Sequence, residues 1–373
     1  MVSAVAPGAA HTIHRNAYQL AVDARDPRFD GVFYVGITTT HVYCRPCCPS
    51  RLAYDRHRRF FDSAAAAERA GFRPCLRCRP ELAPGRTGAP VDAVSQLARA
   101  AAQRIAAGAL NGHSVAELAS ELGVSERHLR RALEREVRVA PLELAQTHRL
   151  LLAKRLIVDT DLPMTRVAYA SGFQSLRRFN AVFRAQYRMS PSALRRGRKT
   201  PGRVEGSLRL TLSYRPPLAW QPLVEALGCV GPRYEHAIEI GGNRGVVIVE
   251  NAAAEGHLIV DIAESLLPVL MPVIAGVRRV FDLDAEPAVI GAHLAERGLG
   301  ESVGRWPGVR VPGKWDGFVS PDEFPEGDPE LQRLAEQWRP WRAYAAQYLR
   351  LTASAPRSDQ RGHARSYGGA LTR

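Results

Sequence analysis

A chain of 373 residues, 46% hydrophobic and 24% charged, is long enough for two or three globular domains and is neither fibrous nor low-complexity. Its net charge of +14 is lopsided: residues 1–200 carry 32 Lys and Arg against 16 Asp and Glu, the remainder 19 against 21. That asymmetry marks the first half as a nucleic-acid face, and an arginine-rich composition spread evenly would not produce it.

Met1 to Ala10 lacks the basic and apolar stretches of a secretory signal. The longest apolar run, Leu266 to Val277, contains two prolines and is too short to span a bilayer. The expected setting is therefore the cytoplasm, with no membrane partner, where clustered thiols favour metal over disulfides.

Asn16 to Asp23 reads as a short helix. Beyond it, the stretch Thr38 to Pro80 holds five of the six cysteines. Cys44-x-x-x-Cys48 and Cys75-x-x-Cys78, 26 residues apart, have the form of two turns that each supply two sulfurs to a tetrahedral zinc. Cys47 leaves the first pair open, because Cys44 and Cys47 also have a usable spacing. Six arginines stand in or near the cluster: Arg45, Arg51, Arg73, Arg77, Arg79 and Arg86. Four zinc-bound thiolates carry a net 2− charge, so the pattern is a soft anionic nucleophile among phosphate-binding cations. An inert structural ribbon needs no such ring.

Asp26-Pro-Arg-Phe-Asp-Gly-Val-Phe, Val42-Tyr-Cys-Arg-Pro-x-Cys-Pro and Gly71-Phe-Arg-Pro-Cys-x-Arg-Cys resemble the N-terminal zinc domain of the Ada family of alkylation-response proteins, over roughly Arg15 to Pro84. The resemblance implies zinc held by Cys44, Cys48, Cys75 and Cys78. It implies Cys44 as acceptor of a methyl group from a DNA methylphosphotriester, and DNA contacts at Thr40, Arg45, Arg51 and Arg73. Cys47 falls where the family commonly has a small residue that is not a ligand.

Pro84 to Pro90 reads as a linker. From Val91 to about Arg198 the pattern is helical and repeats itself: Ala119-Ser-Glu-Leu-Gly123 returns as Ala168-Tyr-Ala-Ser-Gly172, 49 residues later. A small residue four before a glycine, between short helices, is the helix-turn-helix pattern; the small side chain lets the helices cross, and glycine takes the left-handed turn. Ser114-Val-Ala-Glu117 adds a capping box, and an apolar-periodic helix from Pro141 to Ile157 bridges the two copies. The segment resembles the double helix-turn-helix domain of AraC-type regulators. That implies recognition helices starting at Ser125 and near Gln174 or Ser175. Candidate contacts are Arg127, His128, Arg130 and Arg131 on the first, and Gln174, Ser175, Arg177 and Arg178 on the second. Arg195 to Lys199 reads as a basic linker.

After Pro201, alternating apolar and polar residues predict strands at Leu208 to Tyr214, Ala237 to Ile240, Gly245 to Val249 and His257 to Ile262, with helices at Trp220 to Leu227 and Ser265 to Leu283. Leu210-Thr-Leu-Ser-Tyr-Arg-Pro-Pro-Leu-Ala-Trp and Val280-Phe-Asp-Leu-Asp-Ala-Glu-Pro resemble the N-terminal domain of AlkA-type 3-methyladenine glycosylases. The resemblance runs on through Pro307 to Phe318. The phosphate-gripping helix-hairpin-helix of that family has no counterpart downstream. Asp328 falls where the family's catalytic aspartate would lie, but a lone carboxylate with no base pocket does not cleave a nucleotide. A single helix is expected from Glu330 to Leu351, with Leu334, Trp338, Trp341, Tyr344, Ala345 and Tyr348 on its apolar face, docked on the sheet domain or left partly exposed.

The expected protein is multidomain α+β. Residues 1–84 form a small zinc-bound α/β methyl-acceptor domain, and 91–198 an all-α double helix-turn-helix domain. Residues 205–285 form an AlkA-N-like antiparallel sheet with helices, 286–351 a remnant of a helical glycosylase domain, and 352–373 a disordered tail. The function these parts imply is irreversible methyl transfer from DNA methylphosphotriesters to Cys44, coupled to regulation of repair genes. Zinc is the cofactor; the expected partners are double-stranded DNA, at damaged backbone and at promoters, and RNA polymerase. Two other classes stay open: a fused DNA-3-methyladenine glycosylase, which would release abasic sites, and a plain regulator with a structural zinc. No Pro-Cys-His-Arg acceptor motif is present, so dealkylation of O6-methylguanine is not expected.

Overall fold

The computed structural model describes residues 16–85, 93–196, 206–317, 319–326 and 328–354. Arg86, most of the linker ending at Pro90, the end of the basic linker at Arg198 and Lys199, and nearly all of the tail lie outside the described residues.

Residues 16–23 form helix α1. Strands β1 (Tyr34–Ile37), β2 (Val42–Cys44), β3 (Arg58–Phe61) and β4 (Arg73–Pro74) build a small sheet in the order β3-β1-β2-β4. β1 and β2 form a hairpin, whereas β2 and β4 run parallel, with Val42 opposite Arg73 and Tyr43 opposite Pro74. Helix α2 (Ala64–Arg69) joins β3 to β4; its Ala64, Ala65 and Ala67 are buried, and Ser63 caps it by accepting the Ala66 N–H.

The helical region comprises α3 (Ala93–Ala106), α4 (Val115–Glu121), α5 (Glu126–Glu136), α6 (Pro141–Asp159), α7 (Met164–Ala170), α8 (Leu176–Tyr187) and α9 (Pro191–Arg196). The α4–α5 and α7–α8 turns place Gly123 at φ +68° and Gly172 at φ +88°, left-handed values that disfavour side chains with a Cβ. The capping box forms: the Ser114 hydroxyl accepts the Glu117 N–H (3.2 Å), and the Glu117 carboxylate accepts the Ser114 N–H (2.6 Å).

Helix α6 is the spine of the molecule. Twelve of its residues are buried, Lys154 and Arg155 among them, and its exposed residues, Leu142, Glu143 and Gln146, are confined to its first half. Its two ends serve the two helix-turn-helix units and its flanks carry the other domains. Thr147 donates to Glu68 of α2, Lys154 to Glu81, and Arg155 to the main chain of the second sheet at Thr211.

That second sheet holds β5 (Ser207–Ser213), β6 (Tyr234–Ile240), β7 (Asn243–Ala252) and β8 (His257–Ala263), all antiparallel in the order β5-β8-β7-β6. Helix α10 (Trp220–Ala226) lies between β5 and β6, and α11 (Leu270–Val280) follows β8. The expected multidomain α+β class holds: a small sheet, an all-helical region, and an antiparallel sheet with helices.

Two helix expectations are corrected. The segment expected as one helix from Ser265 begins as a 3-10 turn over Glu264–Val269, and the α-helix starts only at Leu270. Pro268 removes an N–H donor that a continuous α-helix would need. The segment expected as one helix over Glu330 to Leu351 is α14 (Pro329–Ala335), a 3-10 turn (Glu336–Trp338) and α15 (Arg342–Ser354). Pro340 sits at the break, and the preceding residue is driven out of helical geometry. The apolar face is buried, and it meets the sheet domain at Ala285, Ala219 and Asp282. Trp338, Trp341, Tyr344 and Tyr348 pack with Ile290 and Leu294 of α12 (Pro287–Leu294), Leu299 just before α13 (Gly300–Arg305), and Val309 and Val311, as a core of their own. The shortened region is folded.

Burial sets one pH effect in this frame. Glu68 lies between Tyr43 Oη (3.0 Å) and Thr147 Oγ1 (2.7 Å), and burial pushes it up to about 7 against the hydrogen bonds that favour its charge. A folded value above the unfolded one means the folded chain keeps a proton the unfolded chain has released, so stability falls as pH rises through this window. In zinc-saturated buffer, unfolding by urea should therefore show wild type losing about 2 kcal/mol relative to Glu68→Gln between roughly pH 5.5 and 8. A constant difference between the two proteins contradicts this.

Candidate metal centre and nucleic-acid interface

The parallel pairing of β2 with β4 brings the thiols together. Both strands run toward the same end of the sheet, one finishing on Cys44 and the other leading into Cys75, whose N–H donates to Tyr43 O (2.9 Å). A tight turn after each strand returns a second sulfur: Cys48 donates its N–H to Arg45 O (3.1 Å), and Cys78 follows two residues after Leu76. Main-chain N–H groups point at the sulfurs, Arg45 at Cys78 Sγ and Arg77 at Cys75 Sγ, each at 3.4 Å.

The Sγ atoms of Cys44, Cys48, Cys75 and Cys78 all lie within 4.8 Å of one another. A tetrahedron with zinc–sulfur bonds of about 2.3 Å has edges of about 3.8 Å, so the group fits that ion. A divalent ion held there would take the place of the thiol protons and favour four thiolates. The cluster is a zinc site. Cys47 stands outside the four-sulfur group, and burial with the Asp30 carboxylate pushes its thiol up to about 11, so it stays neutral at ordinary pH. Cys48, Cys75 and Cys78 are buried, whereas Cys44 is partly exposed.

The arginines divide into two groups. Arg51 and Arg77 are exposed and Arg73 is half-buried, with Thr40 exposed beside them. Arg45 and Arg79 turn inward. Arg45 holds the buried Asp30 carboxylate through Nε (2.7 Å) and Nη2, and donates Nη1 to Cys78 O (3.2 Å). Arg79 grips Asp159 of α6 with both Nη atoms at 2.7 Å and Glu81 with Nε at 2.9 Å. Of the five described arginines of the ring read from the sequence, three lie toward solvent and two are bonded inward. Behind it, Glu81 is held ionised against burial by Lys154 and Arg79, and Lys154 Nζ also donates to Cys75 O at 3.1 Å. Asp30, Glu68, Glu81 and Lys154 were not singled out from the sequence. Asp30 alone had a signal, since it lies inside the quoted Asp26 to Phe33 motif.

Among the helix-turn-helix residues, Leu129, Ala132 and Leu133 bury one face of α5, leaving Arg127, His128 and Arg131 exposed. Arg130 is paired with Glu126 at 2.6 Å. Phe179, Phe183 and Tyr187 bury one face of α8, leaving Gln174, Ser175, Arg177 and Arg178 exposed at its start. Ser125 and Ser175 cap the two helices by accepting the N–H of His128 (3.3 Å) and Arg178 (3.2 Å). Asp328 is an exposed surface residue: its carboxylate accepts the Glu330 N–H (2.8 Å) and caps α14. Asp282 is a half-buried carboxylate next to this region; it accepts from Tyr344 Oη (2.6 Å) and is pushed up to about 6 by desolvation. No helix among the described residues is long and apolar enough to cross a membrane.

Comparison with known proteins matches the metal binding domain of Ada to residues 17–81, a helix-turn-helix domain to 118–197 and the AlkA N-terminal domain to 209–316. A probable bifunctional transcriptional activator/DNA repair enzyme AlkA of Mycobacterium tuberculosis is 37% identical over 308 residues, 78% of this chain; the chain spans 61% of that relative's length. The bifunctional transcriptional activator/DNA repair enzyme Ada of Escherichia coli is 48% identical over 63 residues, 17% of this chain and 18% of its own. The NMR structure of the E. coli Ada protein in complex with DNA is 30% identical, covering 36% of this chain and 91% of that one, with a TM-score of 0.17. In order, then, the chain carries a metal-binding domain of the Ada kind, a helix-turn-helix domain and an AlkA N-terminal domain.

Proposed function

We propose that the protein is an alkylation-responsive DNA-binding regulator whose Cys44 takes a methyl group from DNA methylphosphotriesters. The observation that carries this reading is the four-sulfur group at the ends of β2 and β4, whose Cys44 is partly exposed, in a domain that also presents Thr40, Arg51, Arg73 and Arg77 toward solvent. Zinc, when bound, keeps the thiols deprotonated at neutral pH while leaving them nucleophilic. Cys44 Sγ attacks the methyl carbon in line. The S–C bond forms as the C–O bond breaks, and the phosphodiester leaves with the negative charge. The thioether does not turn over, so each chain acts once. Arg51 and Arg73 orient the neighbouring phosphates.

The transfer removes one negative charge from a surface that faces phosphates. At about 4 Å such a charge is worth on the order of 1–4 kcal/mol, depending on the effective dielectric. The methylated form would then hold promoter DNA through α5 and α8, with RNA polymerase as its expected further partner. Duplex affinity measured at one fixed salt concentration, before and after reaction with methylphosphotriester DNA, should tighten about tenfold. Equal affinity would favour a plain regulator with a structural zinc. Abasic sites released from alkylated duplex would favour a glycosylase, against which stands the exposed, cap-bound position of Asp328.

A further inference from the structure

Arg215, just after β5, has no solvent-facing role: it is 2% exposed, and its guanidinium is used on main-chain carbonyls. Nε donates to Asp30 O (3.0 Å), Nη1 to Asp284 O (2.8 Å) and Ala285 O (3.4 Å), and Nη2 to Gly85 O. One side chain of the sheet domain therefore ties down the zinc domain at Asp30 and the strand of chain leaving it at Gly85. The seam is close. Gly85 donates its N–H to Asp284 Oδ1 at 2.7 Å, and a Cβ added at Gly85 would meet that carboxylate at 2.7 Å.

Asp30 faces the other way as well. Its buried carboxylate holds Arg45, whose Nη1 donates to Cys78 O (3.2 Å) and whose N–H donates to Cys78 Sγ (3.4 Å). A continuous path of polar contacts thus runs from Arg215 through Asp30 and Arg45 to a sulfur of the cluster and to the residue that follows Cys44. N–H···S bonds and the groups behind metal ligands set ligand direction and basicity. A guanidinium fork locked on planar acceptors gives such a path little freedom.

We propose that Arg215 is a positioning residue for the thiolate cluster: it fixes the Asp30 main chain, Asp30 fixes Arg45, and Arg45 fixes Cys78 beside Cys44. The AlkA-like sheet domain serves in this chain as a brace for the acceptor site. The brace's consequence for methyl transfer rests on the reading of Cys44 as acceptor, but its effect on metal retention does not.

The test is a double-mutant cycle on the zinc-loaded full chain with Arg215→Met, Asp30→Asn and the two together. It reads zinc release to an excess of a colorimetric chelator, and the thiolate-to-metal absorption of the cobalt-substituted chain. Each single variant should release zinc at least tenfold faster and shift the cobalt band, with the double variant no faster than the faster single one. Leu258→Ala, which opens the sheet core on β8 opposite Leu212 but removes none of these polar contacts, should leave both readouts at wild type. If Arg215→Met does not fold, Arg215→Lys, which keeps the charge and loses the fork, carries the same cycle. Wild-type release from the Arg215 variant, effects that multiply in the double variant, or an equal effect of Leu258→Ala would each overturn the proposal. Neither readout needs DNA, so a wild-type chain that accepts no methyl group sinks the functional reading and leaves this result legible.

Discussion

Cys44→Ala is expected to abolish methyl uptake from a methylphosphotriester duplex, a loss of roughly 10³-fold or more, because it removes the nucleophile itself. Cys47→Ala should transfer at the wild-type rate. The contrast follows from placement: Cys44 is one of the four mutually close sulfurs, whereas Cys47 lies outside the group with its thiol pushed up to about 11. Zinc content measured beside uptake separates loss of the nucleophile from loss of the site. Cys78→Ala supplies the comparison, since it removes another sulfur of the group and leaves Cys44 in place. Uptake that survives in Cys44→Ala and fails in Cys47→Ala would move the acceptor role to Cys47.

Breaking the ion pair beneath the cluster should have the largest effect on stability. Lys154 Nζ is fully buried against Glu81, whose side chain is 1% exposed, and it also satisfies Cys75 O. Lys154→Met leaves the Glu81 charge in a dry interface with Arg79 as its remaining partner, and the expected cost is about 3–5 kcal/mol. Lys154→Met combined with Glu81→Met removes both charges and should recover much of that loss. Urea unfolding followed by zinc release and by far-ultraviolet circular dichroism checks both values. In the single variant the zinc domain should come away from α6 before the helices unfold, giving two transitions. A single variant within about 1 kcal/mol of wild type would mean that the pair does not hold the domains together.

What could be read from the chain follows from which interactions are local. The thiol pairs, the Ala119–Gly123 and Ala168–Gly172 turns, the Ser114–Glu117 box and the strand alternation after Leu208 are short-range patterns, and the structure contains each of these elements. The interfaces were not legible. Glu68, Glu81, Lys154 and Arg155 carry no local sign of burial in the sequence, and only the packing of other domains on α6 withdraws them from water. Arg45 and Arg79 were read with the phosphate-facing arginines because charge and proximity to the cysteines do not report direction. Their partners, Asp30 and Asp159, lie 15 and 80 residues away. The break at Pro340 did have a local signal, but the spacing of Trp338, Trp341, Tyr344 and Tyr348 carried a helical period across it. The packed core around Ile290 and Leu294 explains why that spacing is apolar without a continuous helix.

The same contacts link site to fold. Tyr43, beside Cys44, reaches α6 through Glu68 and Thr147, and Cys75 reaches it through Lys154. The helix that carries both helix-turn-helix units therefore touches the strand ends that present two of the sulfurs.

The most direct measurement is peptide-resolved mass spectrometry of the full chain, at matched zinc content, after exposure to duplex bearing a single methylphosphotriester. The account predicts one added methyl group per chain, on Cys44, in protein that retains its zinc. An unmodified Cys44, or a methyl group carried on Cys47 instead, would contradict it.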